Sequence, residues 1–193
     1  MNAVNKRKEE LREEVLTRRS KLSEEEWQAK SEKIIQHFFS DDLYDMAKVV
    51  HCYVSMNERN EVCTDALITK MLEAGKRVVV PVTNFSNVLL HHIEIDSLDD
   101  LKSNKWGIRE PDAEEEEEVP VEELDVVIIP MAAADRKGNR LGYGKGFYDR
   151  FLAKTNARKI GFVFKEFLFD EIPVEEYDVK LDVIITEDGP LIP

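Results

Sequence analysis

Residues 135–151, DRKGNRLGYGKGFYDRF, contain four of the chain's eight glycines and five basic side chains. Glycine lets the backbone adopt positive φ angles and leaves no Cβ between the backbone amides and a ligand. Consecutive amides of this kind can bind an anion, and the full charges of Arg140 and Lys145 would strengthen that binding. The segment therefore indicates a phosphate site, although a mobile glycine-rich turn also fits these residues.

Two common phosphate-binding motifs do not match this segment. A P-loop requires Ser or Thr directly after its Gly-Lys, whereas Lys145 is followed by Gly146. A dinucleotide-binding fingerprint requires a different spacing of its third glycine and belongs to the first strand of its fold. Asp149 follows Gly146 by three residues, where its carboxylate could coordinate Mg²⁺ bound to phosphates. The structural alternative for Asp149 is a favourable charge in the first turn of a helix.

Two helices are predicted at the start of the chain. Leu11, Val15 and Leu22 are spaced for one face of a helix, with charged residues on its other faces. Ser23 and Glu26 have the spacing of a capping box, which predicts the first turn of a second helix. The side chains expected on the buried face of this second helix are Trp27, Ile34, Ile35 and Phe38.

Short β-rich runs alternate with helical runs along the rest of the chain. Strands are predicted at 48–55, 77–82, 87–93, 125–130, 159–164 and 181–186, and helices at 64–74 and 146–155. This alternation predicts a three-layer α/β/α fold with a mainly parallel central sheet. Ligands in such folds bind at the carboxyl ends of the strands. The glycine-rich segment closely follows the predicted strand 125–130, so we expect it at that edge of the sheet.

The composition predicts one globular domain over residues 1–193, with enough hydrophobic residues, 42%, for a packed core. The formal charge of −13 disfavours nucleic-acid and anionic-membrane binding. No apolar run approaches the roughly 20 residues of a membrane helix, and the first residues lack the apolar core of a signal peptide. We therefore expect a cytoplasmic protein whose two cysteines are reduced thiols. A monomer is expected as well, although no residue pattern indicates the oligomeric state. The acidic run 110–125 is interpreted as a solvated connection.

Residues 138–152, GNRLGYGKGFYDRFL, resemble the signature of the 5-formyltetrahydrofolate cyclo-ligases, also called 5,10-methenyltetrahydrofolate synthetases. Three further features follow the order found in that family: K-x-x-L-R at 8–12, SMNERNEVCT at 55–64 and WGIREP at 106–111. The carboxy-terminal IPVEEYDVKLDVIIT at 172–186 extends the resemblance over nearly the whole chain.

The resemblance implies an ATP- and Mg²⁺-dependent conversion of 5-formyltetrahydrofolate, including polyglutamylated forms, into 5,10-methenyltetrahydrofolate, ADP and phosphate. A formamide carbon is a poor electrophile and its oxygen a poor leaving group. The formyl oxygen is therefore first phosphorylated, and the folate's own N10 then attacks the carbon. The protein must mainly position the reactants and neutralise phosphoryl charge.

The same resemblance implies the residues that bind ATP, with Lys145 and Arg140 as the catalytic pair. The implied ATP-binding residues are Lys8, Arg12, Gly138, Asn139, Arg140, Leu141, Gly142, Tyr143, Gly144, Lys145, Gly146 and Asp149. Asp149 and Asp182 are the implied metal ligands, and a polar residue at the start of a strand is the alternative interpretation of Asp182. On an exposed helix, the K-x-x-L-R pattern alone would indicate an ordinary solvated face.

Four residues are implied for the folate: Met56, Glu61, Trp106 and Tyr143. A carboxylate at Glu61 could accept hydrogen bonds from the pterin, and the two aromatic side chains offer flat surfaces for stacking. Taken alone, Glu61 would be a surface charge and Trp106 a core residue. Cys63 stands where family members commonly have Asp, which puts a polar role at that position in doubt.

Two other functions fit parts of this pattern. Related α/β sheets with anion-binding loops occur among sugar-phosphate isomerases and CoA-transferase-like proteins, but an enzyme of that kind would leave Trp106, Met56, Lys8 and Arg12 unexplained. A non-enzymatic module would bind ATP or folate without consuming ATP.

Overall fold

The computed structural model describes residues 3–40, 42–112 and 118–193. Its helices are α1 (Ala3–Arg19), α2 (Glu24–Phe39), α3 (Asp42–Met46), α4 (Asp65–Glu73) and α5 (Phe147–Leu152). None of the helices in these ranges combines the length and apolar character needed to cross a membrane. Residues 113–117, in the acidic run that we interpreted as a solvated connection, lie outside the described residues.

The described residues form twelve strands, numbered in chain order. They are β1 (Val49–Cys52), β2 (Arg77–Asn84), β3 (Leu89–Ile95), β4 (Leu101–Ser103), β5 (Arg109–Pro111), β6 (Val126–Ile129), β7 (Ala133–Asp135), β8 (Arg140–Leu141), β9 (Arg158–Phe162), β10 (Leu168–Phe169), β11 (Val183–Thr186) and β12 (Gly189–Leu191).

The central sheet has seven strands in the order β12-β11-β9-β6-β1-β2-β3. Its five inner strands run parallel, and β3 and β12 add an antiparallel strand at each edge. Helix α2 packs against β11 and β12, α4 against β2, and α5 against β3. This arrangement confirms the predicted α/β class and its mainly parallel central sheet.

The position of β1 in this order creates a crevice. From β1 the parallel strands continue to β2 on one side and to β6, β9 and β11 on the other. The segments that leave the carboxyl ends of β1 and β6 therefore diverge, and ligands of open α/β sheets bind at such a point. Residues 53–56 follow β1 there, and residues 130–132 follow β6.

The central strands of the sheet are deeply buried because both faces of the sheet are covered. Every residue of β1, β6 and β11 is buried, as expected for parallel strands. The predicted capping box at the start of α2 is confirmed, since the Ser23 side chain accepts from Glu26 N and Glu26 accepts from Ser23 N. The predicted apolar face of α2 is also buried: Trp27, Ile34, Ile35 and Phe38.

The segment predicted as one glycine-rich loop contains a β-hairpin. Strands β7 and β8 pair antiparallel and form a small sheet with β10. Helix α5 begins only after this hairpin and ends at Leu152, earlier than the predicted end at 155. These strands have two or three residues each, too few for the side-chain alternation that identifies a strand in a sequence.

Two buried histidines meet between β1 and β3. His51 is 0% exposed and His92 3% exposed, and their ring centroids are 5.1 Å apart. Both ring nitrogens of His51 and Nδ1 of His92 lack a hydrogen-bond partner within the described ranges. Burial, and then the neighbouring His92, lowers the pKa of His51. Burial also lowers the pKa of His92 to about 4, although Glu118 opposes the shift.

Acid should therefore destabilise the fold through these two rings. Above the unfolded-state pKa of about 6.5, the two rings are neutral in both the folded and the unfolded protein, so protonation does not reduce the free energy of unfolding. Below it, only the unfolded chain binds the protons, and each ring lowers the free energy of unfolding by about 1.4 kcal/mol per pH unit. For His92 this loss ends at its folded-state pKa of about 4.

Urea unfolding at about pH 7 and about pH 5.5 measures this effect. His92→Leu should reduce the loss of unfolding free energy between the two pH values by about 1.4 kcal/mol. His37→Gln, at a partly exposed histidine of α2, is the matched control and should show the wild-type loss. An equal loss in His92→Leu and wild type would contradict the assignment of acid sensitivity to this pair.

Candidate active site

A cleft of about 1130 Å³ opens at the carboxyl ends of β1 and β6. It is lined by Tyr53 and Val54 after β1, by Pro130 after β6, and by α1, the β4–β5 hairpin and the glycine-rich segment. Pockets for a single small ligand typically measure about 300–1,000 Å³. This cleft therefore lies just above the upper end of that range.

Gly142 and Gly144 allow two arginines to approach the backbone closely. A Cβ on Gly144 would lie 3.1 Å from Arg12 Cζ, and one on Gly142 would lie 3.1 Å from Arg140 Nη1. Gly144 and Gly146 have φ angles of 86° and 71°, in the left-handed region that favours glycine. Gly142 lies outside that region, so the expectation of positive φ at the alternate glycines is confirmed at two of the three positions.

The amino-terminal part of the expected ATP segment does not line the cleft. The buried carboxylate of Asp135 accepts hydrogen bonds from the backbone and side-chain amides of Asn139 and from Ile172 N, at 2.8–3.1 Å. Gly138 has a φ of 84° in this turn, and a Cβ there would lie 3.0 Å from Leu181 O. Gly138 and Asn139, expected at the ATP site, thus stabilise the β7–β8 turn.

Helix α1 brings two cations to the cleft, although their sequence pattern alone is typical of a solvated face. Arg12 Nε donates to Gly142 O at 2.8 Å, and burial lowers the pKa of Arg12. Lys8 is only 8% exposed. Its Nζ donates to Glu175 Oε2 at 3.1 Å and to Asp178 Oδ2 at 2.5 Å. Both expected residues therefore line the cleft with the glycine-rich segment.

Arg140 and Lys145 reach the cleft in different states. Arg140 is 6% exposed, and its Nη2 donates to Asp149 Oδ1. Its Nε is buried and has no hydrogen-bond partner among the described residues. Leu141 and Asp149 also line the cleft, and Asp149 lies in the first turn of α5. Lys145 is exposed, and its ammonium makes no hydrogen bond or ion pair with any residue the structure describes.

The structure does not bring Asp182 to the cleft. It precedes β11, and its Oδ2 accepts from Lys159 N at 2.8 Å beside the start of β9. The amino ends of the parallel strands lie at the edge of the sheet opposite the cleft. Asp178 and Glu175 line the cleft instead, and the sequence analysis missed both. Their run EEYDVKLD contains several carboxylates, and only their contact with Lys8 distinguishes these two.

Glu61 places a buried carboxylate in the wall of the cleft. It is 4% exposed, and its Oε2 accepts from Met56 N at 2.7 Å. Burial, and then the charge of Glu61, raises the pKa of Tyr143 beside it. Arg19 Nη2 donates to the Tyr143 hydroxyl at 3.0 Å, and its guanidinium lies 5.6 Å from the ring centroid. Sequence reasoning missed Arg19 because a charged residue at the end of a charged helix is usually solvated.

Aromatic side chains surround the mouth of the cleft. Trp106, at the tip of the β4–β5 hairpin, is 53% exposed, so it is not a core residue. Its ring centroid lies 5.2 Å from that of Phe85, which in turn lies 5.6 Å from Phe147 in α5. Tyr148 also lines the cleft, with its ring centroid 6.1 Å from that of Phe151, and its buried hydroxyl has no hydrogen-bond partner in the part of the chain that the structure describes. These rings provide an apolar surface next to the charged wall.

Comparison with known sequences identifies relatives along nearly the whole chain. A sequence model of the 5-formyltetrahydrofolate cyclo-ligase family matches residues 4–187. A Caenorhabditis elegans protein named probable 5-formyltetrahydrofolate cyclo-ligase is 32% identical, and the alignment covers 100% of this chain and 98% of the relative. The 5-formyltetrahydrofolate cyclo-ligase of Escherichia coli K12 is 33% identical over 88% of this chain and 94% of its own length.

Solved structures support the same relationship. The 5,10-methenyltetrahydrofolate synthetase of Aquifex aeolicus matches with a TM-score of 0.84 and 32% identity, over 96% of this chain and 92% of that chain. The 5,10-methenyltetrahydrofolate synthetase of Mycoplasma pneumoniae matches with a TM-score of 0.73 and 25% identity, over 93% of this chain and 98% of that chain. Sequence and fold agree over most of the protein. The chain therefore belongs to the 5-formyltetrahydrofolate cyclo-ligase family of enzymes.

Proposed function

We propose that the protein catalyses the ATP- and Mg²⁺-dependent cyclisation of 5-formyltetrahydrofolate to 5,10-methenyltetrahydrofolate. The observation that carries this proposal is the joining of two kinds of surface in one cleft. One wall has glycine-rich backbone and cationic side chains, which suit phosphates. The other has the buried carboxylate of Glu61, which suits the N–H groups of a pterin. Membership of the cyclo-ligase family supports the same assignment.

The reaction needs both substrates in contact. The formyl oxygen takes the terminal phosphoryl group of ATP, and the bond to ADP breaks. The N10 atom then attacks the formyl carbon, N10 loses its proton, and phosphate leaves with the former formyl oxygen. N10 and N5, the nitrogen that carries the formyl group, belong to one folate molecule. The main tasks of the protein are therefore alignment of the reactants and neutralisation of phosphoryl charge.

Four side chains would meet the phosphates: Lys8, Arg12, Arg140 and Lys145. Three of them already donate hydrogen bonds to acceptors in the cleft. An incoming phosphate would replace those acceptors or accept further hydrogen bonds beside them. Lys145 is exposed and lies on the positive-φ glycine segment, and we assign it to the transferred phosphoryl group. Arg140, held by Asp149, is also assigned to the transferred phosphoryl group, where it would neutralise negative charge.

The carboxylates of Asp149 and Asp178 suit Mg²⁺, a cation that prefers oxygen ligands. In the described ranges, no group of three or more His, Cys, Asp or Glu side chains is arranged to hold a metal ion. The proposed ion would be bound through the carboxylates of Asp149 and Asp178 together with substrate phosphates, a common arrangement for Mg²⁺. When bound, Mg²⁺ would neutralise phosphate charge.

The folate would bind between Glu61 and the aromatic mouth of the cleft. We assign Glu61 and the Met56 backbone to the pterin and Trp106 to stacking against a ring. Tyr143 is held by Arg19, so we assign it to the shape of this wall. The polyglutamylated substrate, the monomeric state and the cytoplasmic location stay predictions of the sequence.

The methenyl product absorbs in the near ultraviolet, which makes the proposal directly testable. Purified protein with 5-formyltetrahydrofolate and Mg²⁺ should form this chromophore only when ATP is present, and ADP should appear in equal amount. ATP binding without product or ADP would indicate a non-enzymatic module. Turnover of a phosphorylated sugar with no folate turnover would favour an isomerase.

A further inference from the structure

The β4–β5 hairpin carries Trp106 to the mouth of the cleft but has little stability of its own. Each strand has three residues, and an isolated two-stranded hairpin is marginal in water. Its tip is organised by Asn104, whose Oδ1 accepts from Trp106 N at 2.8 Å and from Ile108 N at 3.1 Å. The orientation of Trp106 over the cleft therefore depends on contacts between the hairpin and the rest of the protein.

Arg109, on β5, forms the main polar contact of this kind. Its Nη2 donates to Asp65 Oδ1 at 2.6 Å and its Nη1 donates to Asp65 Oδ2 at 3.1 Å. The same Nη2 also donates to Ser55 O at 3.1 Å. Ser55 precedes Met56, which together with Glu61 forms the part of the cleft assigned to the pterin, here called the folate wall. A forked pair of this geometry restricts orientation as well as distance. Arg109 thus connects the Trp106 hairpin to the segment that presents Met56 and Glu61.

Glu110 fixes the other side of the hairpin. Its Oε2 accepts from Thr83 N of β2 at 3.0 Å, and its Oε1 accepts from Asn104 Nδ2 at 2.7 Å. Glu110 therefore holds the hairpin near the central sheet and supports the tip. Among the described residues, the hydrogen bonds from Arg109 to Asp65 and to Ser55 O set the distance between Trp106 and the folate wall.

We propose that Arg109 and Asp65 are positioning residues, which hold Trp106 and the Met56–Glu61 segment at a fixed separation so that the folate meets a preformed site. This inference rests on the proposed function. Neither residue is assigned to contact the reacting atoms. Their effect is on the cost of ordering the hairpin when the folate binds.

Arg109→Gln and Asp65→Asn should each raise KM for 5-formyltetrahydrofolate about three- to tenfold, because a loosened hairpin must be ordered on binding. KM for ATP and kcat should stay unchanged. The double variant should resemble Arg109→Gln, since that single change already removes the pair with Asp65. Arg77→Gln is the matched control, because Arg77 forms a similar fork with Glu94 outside the cleft.

Tryptophan fluorescence tests the same inference without turnover. The chain has two tryptophans, so subtracting the signal of Trp106→Phe isolates Trp106. In Arg109→Gln and Asp65→Asn, Trp106 should be quenched more strongly by acrylamide and lose anisotropy. This result would stand even if the wild-type protein formed no methenyl product, so failure of the inference and failure of the proposed function can be distinguished.

Two outcomes would overturn the inference. If Arg109→Gln raises KM for the folate while Asp65→Asn does not, the pair with Asp65 does not position Trp106. If both variants lower the melting temperature but leave the folate KM and the Trp106 quenching at wild-type values, the pair serves only the stability of the fold.

Discussion

Lys145→Ala is expected to lower kcat/KM for ATP by about 10²–10³ and to leave the fold intact. The loss is of the size seen when one preorganised group that stabilises transition-state charge is removed. Lys145 is exposed, and its ammonium has no partner within residues 3–40, 42–112 and 118–193, so its removal breaks no described contact of the folded state. Initial rates of methenyl formation over a range of ATP concentrations measure the effect.

Lys137→Ala is the matched control for this experiment. Lys137 belongs to the same basic stretch, but its ammonium pairs with Glu171 at 3.1 Å and it does not line the cleft. Its ATP kinetics should equal those of the wild type. Wild-type ATP kinetics in Lys145→Ala would remove Lys145 from the phosphate site.

Glu61→Gln is expected to raise KM for 5-formyltetrahydrofolate by about 10- to 100-fold, with little change in KM for ATP. Hydrogen bonds to a charged group contribute about 1.5–3 kcal/mol, and the amide keeps the shape of the side chain while it loses the charge. Glu61 is 4% exposed, so solvent cannot replace the lost acceptor. Calorimetric titration with the folate, in the absence of ATP, measures the binding loss separately from catalysis.

Glu58→Gln provides the control for Glu61→Gln. Glu58 lies three residues earlier in the same segment, but it is exposed and does not line the cleft. The Glu58→Gln variant should bind the folate as tightly as the wild-type protein does. Equal losses of folate and ATP affinity in Glu61→Gln would argue that Glu61 supports the cleft as a whole rather than the pterin.

Local patterns predicted most of the secondary structure. The capping box of Ser23 and Glu26, and the apolar run of β6, depend only on neighbours in the chain. The β7–β8 hairpin could not be predicted in this way. It is held by the buried carboxylate of Asp135, which accepts from Ile172 N, 37 residues away.

The charged wall of the cleft could be predicted in part. Glycine spacing and basic charge singled out Arg140 and Lys145, which line the cleft, because both the backbone freedom and the charge belong to one short segment. The family resemblance identified Lys8 and Arg12, whose own pattern indicates a solvated face. It also implied Asp182, which the fold places at the opposite edge of the sheet, whereas Asp178 lies in the cleft.

By itself, the amino-acid sequence determined the order of the main strands and helices, the glycine-rich segment and the family, because each of these depends on residue types at short spacing. The tertiary structure alone decided which distant charges meet. It joined Lys8 to Asp178 across 170 residues and Arg109 to Asp65 across 44. Tertiary packing sets such contacts, and the pattern of neighbouring residues in the chain does not record which distant segments the fold brings together.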